Sequence, residues 1–536
     1  MLSTIFKTIV NNYGRNYSFY TPEFDSFQSF FEQTLDKPSG FSQEICRVLS
    51  ECNSGTSPFI SQEAITRPSA IQAASFSSIL SGHHTAIGAE TGSGKSLAYI
   101  LPLLFRLQPL ITRRFVGGKK FSRYPFAIVL SANRELAQQT YRYFELFECS
   151  MRASNIFAAS TLSDSNQSRA LFHSKFLPST EQLAMHFPVH SQIGSPSATD
   201  ILVTTPSSFR NLLNYQHMKQ LKTRQHRSRA FKRLPIIGAE QDNGKVNVHP
   251  LLKHSRMLVF DEADMILSGS FEDSIGRDLL SALRKLNKLG GKDKEKDHHQ
   301  VVFGGATWPD QSHKSVKSKL SRFFPTMQWI TTKHLHASPS SEAQKKETFF
   351  FCQNETEKRD KLYTLLKEKT EFCVVFTNTV ESAVEVASML KDWQVPYVEF
   401  HKLISHQQRQ QALDSFQSRQ LAQEKGDEKN SQQLVFVCTN LAARGIDFVK
   451  KDLHVIQYDF ATSAVDYLHR IGRTGRADSA CGEITNLYTP KDQDLVREIQ
   501  QHQAEKSVDG LFSRSRSFRR RMKRRSQRKL DNKVMN

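Results

Sequence analysis

Residues 86–100 read AIGAETGSGKSLAYI. An apolar run stops at a glycine-rich turn, Lys95 and Ser96 follow, and a second apolar run begins. That is the order strand, loop, helix. The backbone N–H groups of Gly92, Ser93 and Gly94 can wrap anionic oxygens, because the first turn of a helix leaves its donors unused and its dipole favours negative charge. Lys95 is then set to reach the β- and γ-phosphates of a nucleotide, and Ser96 to hold Mg²⁺. Ala89, Glu90 and Thr91 complete the loop. Ala89 stands where the pattern G-x-x-x-x-G-K-[ST] begins with glycine. A strand–helix connector without a ligand has the same outline, so a second motif has to decide the reading.

That motif is LVFDEADMIL at 258–267. Its strand delivers Asp261 and Glu262 to a C-terminal edge, where open α/β sheets bind ligands. Asp261 is the expected Mg²⁺ holder, and Glu262 the general base that polarises an attacking water. Acidic pairs after strands also start ordinary helices. In one domain with a phosphate loop they indicate nucleotide hydrolysis. A third motif, YLHRIGRTGR at 467–476, crowds His469, Arg470, Arg473 and Arg476 among glycines rather than helix formers. Its surroundings contain no second phosphate loop. These cations are therefore expected to border the first domain's site and supply arginines to the γ-phosphate.

The bulk numbers agree with two such domains. The chain has 536 residues, a formal charge of +20 and a hydrophobic fraction of 38%. This length exceeds one ordinary core. The charge implies a polyanionic partner, most often nucleic acid. Seven cysteines are scattered without a C-x-x-C pair, which argues for a reducing compartment and against a disulfide frame or metal cluster. No apolar run approaches the roughly 20 residues of a membrane span, so no membrane insertion is expected.

Short β-rich runs (FAIVLSA, DILVTTP, MLVFDEAD, QVVFGGAT, then FCVVFTN, LVFVCTN, LHVIQYDF) alternate with helical patterns, as in parallel sheets covered on both faces. Two α/β domains are expected, at 61–335 and 345–505, joined by TTKHLHASPSSEAQKKE. Basic polar insertions are read at 215–254 and 288–299, and a basic tail at 506–536. The tail carries ten Arg/Lys between Arg514 and Lys529, with Phe518 and Met522 interleaved, a composition suited to nucleic-acid phosphates. The first 24 residues contain no acid before Glu23. Leu2, Ile5, Phe6, Ile9 and Val10 share one helical face, with Lys7 opposite. That is transit-peptide composition. Residues 1–17 are read as the presequence, cleaved after Tyr17, and 18–60 as an N-terminal extension. An ordinary N-terminal helix is the alternative.

Taken in order, the motifs resemble those of the DEAD-box RNA helicases. The resemblance implies two tandem RecA-like domains, each a parallel sheet with helices on both faces, with ATP and Mg²⁺ as cofactors and RNA as partner. Ala89 is then the family's own form of the loop. RPSAIQ (67–72) resembles the adenine-reading element, with Gln72 on the purine edge and an upstream phenylalanine, Phe31 or Phe41, stacked on the base. SANRELAQQ resembles the first RNA motif, with Arg134 and Gln139 at its matching positions, and TTP the next, with Thr205 and Pro206. GAT (Gly305, Ala306, Thr307) resembles the segment coupling ATP to RNA, with His469 and Arg470 as its counterparts. FTNT (376–379), HQQR (406–409) and TNLAARGID (439–447) resemble second-domain motifs. They imply RNA contacts from Arg409 and Thr439, and a ribose contact from Asp447.

The departures are Ala132-Asn133 for Pro-Thr, Ser207 for glycine, Asn440 for aspartate, Gly305 for serine, and no Gly-Gly pair near Ile156. A serine hydroxyl missing at 305 removes a hydrogen bond worth about 1 kcal/mol, so weaker coupling is expected. VVFGGATWP with TTKHLH resembles the mitochondrial DEAD-box helicases of fungi and vertebrates that serve large mitoribosomal subunit assembly. That implies the mitochondrial matrix, rRNA as the bound RNA, ribosome-assembly proteins as partners and a monomeric core. A low-turnover ATP-locked RNA clamp, and a nuclear or nucleolar rRNA-processing helicase, stay open beside it.

Overall fold

The structure, a computed structural model, describes residues 24–35, 40–51, 65–90, 92–116, 126–153, 183–185, 201–209, 252–253, 255–267, 299–308, 315–332, 346–368, 372–424, 433–442, 446, 448, 453–475 and 482–504. The presequence, the 215–254 insertion apart from its margin, most of 288–299 and the basic tail lie outside these residues, as do Thr91, Asp447 and Arg476.

Apolar runs rich in Val, Ile and Phe become strands because both sheet faces are covered. The first sheet holds β1 (Thr85–Gly88), β2 (Ala127–Ser131), β3 (Leu183–Met185), β4 (Ile201–Thr204), β5 (Met257–Asp261), β6 (Gln300–Gly305) and β7 (Gln328–Thr331). Their order is β3-β4-β2-β5-β6-β1-β7, and only β3 runs antiparallel to its neighbour. The second sheet holds β8 (Lys346–Phe351), β9 (Cys373–Phe376), β10 (Tyr397–Phe400), β11 (Val435–Cys438), β12 (His454–Gln457) and β13 (Glu483–Tyr488). It is wholly parallel, in the order β10-β11-β9-β12-β13-β8. These are the two α/β domains the apolar runs imply.

Every residue of β1, β2, β4, β5 and β6 is buried, as is every residue of β9, β11 and β12. Each sheet therefore separates two apolar clusters, one per face. Because the central strands run the same way, the segments that follow β1, β2, β4, β5 and β6 emerge at one edge. The phosphate loop, SANRE, TTP, DEAD and GAT are thereby gathered without being close in sequence.

The N-terminal helices Phe27–Thr34 and Gly40–Glu51 pack on the first domain through aromatic rings. Phe31 and Phe41 converge on Phe105 of the Lys95–Val116 helix, with ring centroids 5.1 and 5.0 Å away. Phe31 is 1% exposed and Phe41 4%. The expectation that one of them stacks on a base is corrected here. Both rings are spent on buttressing the helix that follows the phosphate loop, and neither offers a free face.

Candidate nucleotide and RNA site

The phosphate loop is held from three sides. At its start, Ala89 N donates to Gly305 O at 3.3 Å, continuing the β1–β6 ladder. Above it, the capped start of helix Ala70–Leu80 reaches down. Ser69 N donates to Gln72 Oε1 at 2.9 Å, Ser69 Oγ donates to Ser93 O at 2.9 Å, and Gln72 Nε2 donates to Gly94 O at 3.2 Å. Gln72 thus ties its own element to the loop. Gly92 and Gly94 have φ of +82° and +86°, where glycine avoids the clash a side chain brings. A Cβ on Gly94 would also fall 2.3 Å from Gln72 Nε2. Beneath the loop, Lys95 Nζ donates to Ala89 O at 2.8 Å and Glu90 O at 2.7 Å. Burial lowers the Lys95 pKa. The carboxylates of Glu262, Asp261 and Asp264 oppose that shift, and Arg473 of the second domain adds to it.

Asp261 ends β5 and is 2% exposed. Burial, then the adjacent Glu262, pushes its pKa up to about 7. Tyr99, one helical turn beyond Lys95, donates to Asp261 Oδ2 at 3.0 Å, and Ser96 lies within reach of the same hydroxyl. Ser96 and Asp261, the two expected Mg²⁺ ligands, are therefore linked through a tyrosine that the motifs did not single out. Glu262 sits at φ +53°, ψ +51°, a left-handed conformation that costs a residue with a side chain on the order of 1–2 kcal/mol. Its Oε2 is buried and has no hydrogen-bond partner among the described residues. A strained carboxylate with one unused oxygen, beside a glycine cradle and a buried lysine, fits a nucleotide, a Mg²⁺ ion and an attacking water.

The second domain reaches this cluster through one helix. Helix Ala464–Ile471 is capped by Ser463, whose Oγ accepts from Asp466 N at 3.1 Å. It points His469 across the domain boundary, with Nε2 3.5 Å from Asp264 Oδ2. Thr307 of GAT donates its hydroxyl to that same carboxylate oxygen. Asp264 therefore joins the GAT segment to the other domain. Its place three residues past Asp261 in DEAD is the sequence signal that points to it.

Arg473 is 3% exposed and bonds to His469 O at 3.2 Å and to Ile446 O. It is close enough to Lys95 to perturb it. Arg470 behaves differently. It is 0% exposed and donates to Asn440 Oδ1 at 2.8 Å, Asn378 Oδ1 at 2.8 Å and Asp459 O at 2.7 Å. The expectation that it borders the site is corrected. It is the hub that ties the FTNT and TNLAARGID segments together inside the second domain, and Asn440 serves as one of its acceptors.

The expected RNA residues divide similarly. Arg134 is exposed at the start of helix Arg134–Ala153, and Gln139 lies half-buried farther along it. The departure at Asn133 keeps a cap, since its Oδ1 accepts from Leu136 N at 2.7 Å. Thr205 turns its hydroxyl into its own turn, toward Ser207 at 3.2 Å and Ser208 at 3.1 Å, and Pro206 follows it. Thr439 is half-buried at the end of β11. Arg409 is not on an open face. Its Nε donates to Glu135 Oε1 at 2.8 Å and its Nη1 to Ile404 O at 2.7 Å, so it bridges the domains instead. Ala306 is half-buried between Gly305 and Thr307. At Gly305 the missing serine is not an empty position, because the indole of Trp308 fills it.

A sequence profile of the family DEAD/DEAH box helicase matches residues 69–316, and one described as helicase conserved C-terminal domain matches 357–478. The DEAD-box ATP-dependent RNA helicase 22 of Oryza sativa subsp. japonica is 29% identical over 533 residues, covering 86% of this chain and 80% of the relative. Its Arabidopsis thaliana namesake is 26% identical with the same coverage. Among solved structures, the fold resembles S. cerevisiae Dbp5 bound to RNA and ADP BeF3. The TM-score is 0.57 at 20% identity, over 90% of this chain and 94% of that one. It also resembles a doubly truncated Mss116p bound to ssRNA and AMP-PNP, with a TM-score of 0.58 at 18% identity, over 91% and 79%.

Proposed function

The chain belongs to the DEAD-box RNA helicases, which are RNA-stimulated ATPases, and from that membership we propose that it closes its two domains on Mg²⁺-ATP and one RNA strand to remodel mitochondrial ribosomal RNA. One observation carries the catalytic part. Both domains meet at the acidic cluster, where His469 approaches Asp264 at 3.5 Å beside the unused oxygen of Glu262. Lys95 has two carbonyl partners to exchange for phosphate oxygens. Glu262 takes the proton of the attacking water, and Arg473, with Arg476, steadies the charge that builds on the γ-phosphoryl group in transfer. Ser96 and Asp261 would hold the Mg²⁺ ion, which when bound would neutralise phosphate charge. Thr307, between the phosphate-loop ladder and Asp264, relays the state of the site to the second domain.

Two structural neighbours were solved with RNA and a nucleotide analogue, which supports the same pair of ligands here. Contacts to the RNA backbone and 2′-OH groups give little base preference, and a strand bent by closure cannot stay paired in a duplex. The mitochondrial assignment rests on the acid-free amphipathic N-terminus, and the large-subunit assignment on VVFGGATWP and TTKHLH. Crosslinking in cells followed by sequencing of bound RNA tests both. Large-subunit mitochondrial rRNA is the expected catch, and nucleolar pre-rRNA would refute the assignment. A reporter carrying residues 1–30 is expected to enter mitochondria; retention in the cytosol would refute import by this segment.

A further inference from the structure

Gly305 is the last residue of β6 and pairs with Gly88, the last of β1. Its φ lies outside the left-handed region, so conformation does not demand glycine there. Space does. A Cβ at 305 would stand 2.9 Å from Cζ2 of Trp308, closer than real Cβ contacts come, and 3.1 Å from its Cε2, tighter than most. The other near atom is Asp264 Oδ1, at 3.4 Å.

The indole is rigidly placed. Trp308 is 3% exposed, and its Nε1 donates to Ile87 O of β1 at 3.1 Å. Its ring meets Trp329 of β7 edge to face, with centroids 5.4 Å apart and planes at 84°. One side chain thereby spans β6, β1 and β7 at the edge where the phosphate loop begins. Between its two ends lies Thr307, bonded to Asp264, and Asp264 faces His469. The segment is fastened at 305 by backbone, through Ala89 N, and at 308 by the indole.

We propose that Trp308 is a positioning residue for the coupling segment and that Gly305 and Trp308 form an interdependent pair, in which the indole occupies the volume of a residue-305 side chain and pins the segment to β1. Thr307 is then held at Asp264 by an aromatic clamp rather than by a hydroxyl at 305. The glycine is a condition for that clamp, not a defect in coupling.

The inference rests on the RNA-stimulated ATPase of the full-length chain and is tested on it with four variants: Gly305→Ser, Trp308→Leu, Trp308→Phe, and Gly305→Ser combined with Trp308→Leu. Duplexes separated per ATP hydrolysed, kcat and KM for ATP are read for each. Gly305→Ser is expected to lower duplexes separated per ATP by about fivefold or more, with KM for ATP changed by no more than about twofold. Trp308→Phe keeps a ring but loses the Ile87 bond, and is expected to fall between wild type and Trp308→Leu. The double variant is expected to match or exceed Trp308→Leu, so that serine is harmless once the indole is gone. Wild-type values for Gly305→Ser, or losses that simply multiply in the double variant, would overturn the pair. If Gly305→Ser does not fold, the double variant must restore soluble, cooperatively melting protein, and failure to do so overturns it equally. Wild-type protein that hydrolyses ATP without separating strands refutes unwinding, and the pair is then read from kcat.

Discussion

Arg409 Nε and Glu135 Oε1 stand 2.8 Å apart although 274 residues separate them in the chain. Both side chains are about nine-tenths buried, and each comes from a helix of a different domain. A charged pair buried between two domains exists only when they are closed. It therefore reports closure. Charge reversal at either residue is expected to weaken RNA binding in the presence of a non-hydrolysable ATP analogue by roughly tenfold or more. The swap Glu135→Arg with Arg409→Glu should recover much of that loss, as measured by fluorescence anisotropy. No recovery would mean that Arg409 serves RNA directly.

Glu262→Gln retains shape and removes the base. In the proposed mechanism its Oε2 takes the proton of the attacking water, and a neutral amide cannot do so in its place. ATP and RNA binding are expected to persist while steady-state phosphate release falls by about 100-fold or more. Turnover at the wild-type rate would remove Glu262 from the reaction.

Tyr99→Phe deletes the hydroxyl between Asp261 and Ser96. One buried hydrogen bond of this kind contributes about 1 kcal/mol, so the fold should survive with a slightly lower Tm. The Mg²⁺ concentration for half-maximal ATP-analogue binding is expected to rise several-fold, because Asp261 loses the donor that orients it. An unchanged Mg²⁺ requirement would confine Tyr99 to packing.

Lys358 and Asp459 set a pH dependence for the second domain. Their charged atoms are 2.8 Å apart, and Lys358 also lies 4.2 Å over the Tyr458 ring. Burial would raise the Asp459 pKa, but Lys358, the Asn378 N–H and the Ser382 hydroxyl outweigh it and hold it below the ordinary 3.8. A depressed carboxylate contributes stability that is present above 3.8 and is lost as pH falls through its folded value. Thermal melts should therefore be flat in this contribution near neutrality and drop in acid below about 4. Lys358→Met removes the cation and leaves only the Asn378 N–H and the Ser382 hydroxyl to oppose burial, so the loss of stability in acid should shrink or vanish. It should cost about 3–5 kcal/mol at pH 7.

The tail yields a prediction from sequence alone. Deleting residues 512–536 removes the ten Arg/Lys between Arg514 and Lys529. Each phosphate they neutralise on a single strand contributes about 0.7 to the salt slope of binding, so about five contacts account for three to four units. Affinity and slope should fall, while ATPase at saturating RNA stays nearly intact. An unchanged slope would direct the tail to protein partners.

Two kinds of information separate cleanly in this chain. Elements that obey local rules were legible. MLVFD and FCVVF read as strands because a sheet covered on both faces needs uninterrupted apolar residues, and GSGK read as a loop because φ near +80° needs glycine. Asp261 and Glu262 followed, since a parallel strand must release its next residues at the binding edge. What pairs with what was not legible. Arg470 and Arg473 look equivalent in HRIGR, yet one is locked inside the second domain and the other acts on Lys95 across the interface. Phe31 and Phe41 looked like base-stacking candidates, and both are core. Gly305 looked like a lost hydroxyl until the indole three residues later filled its place. The reason is physical. Backbone propensity and apolar pattern act over a few residues and determine elements, whereas burial and close approach are decided when elements distant along the chain compete for the same volume, and only tertiary structure resolves that competition.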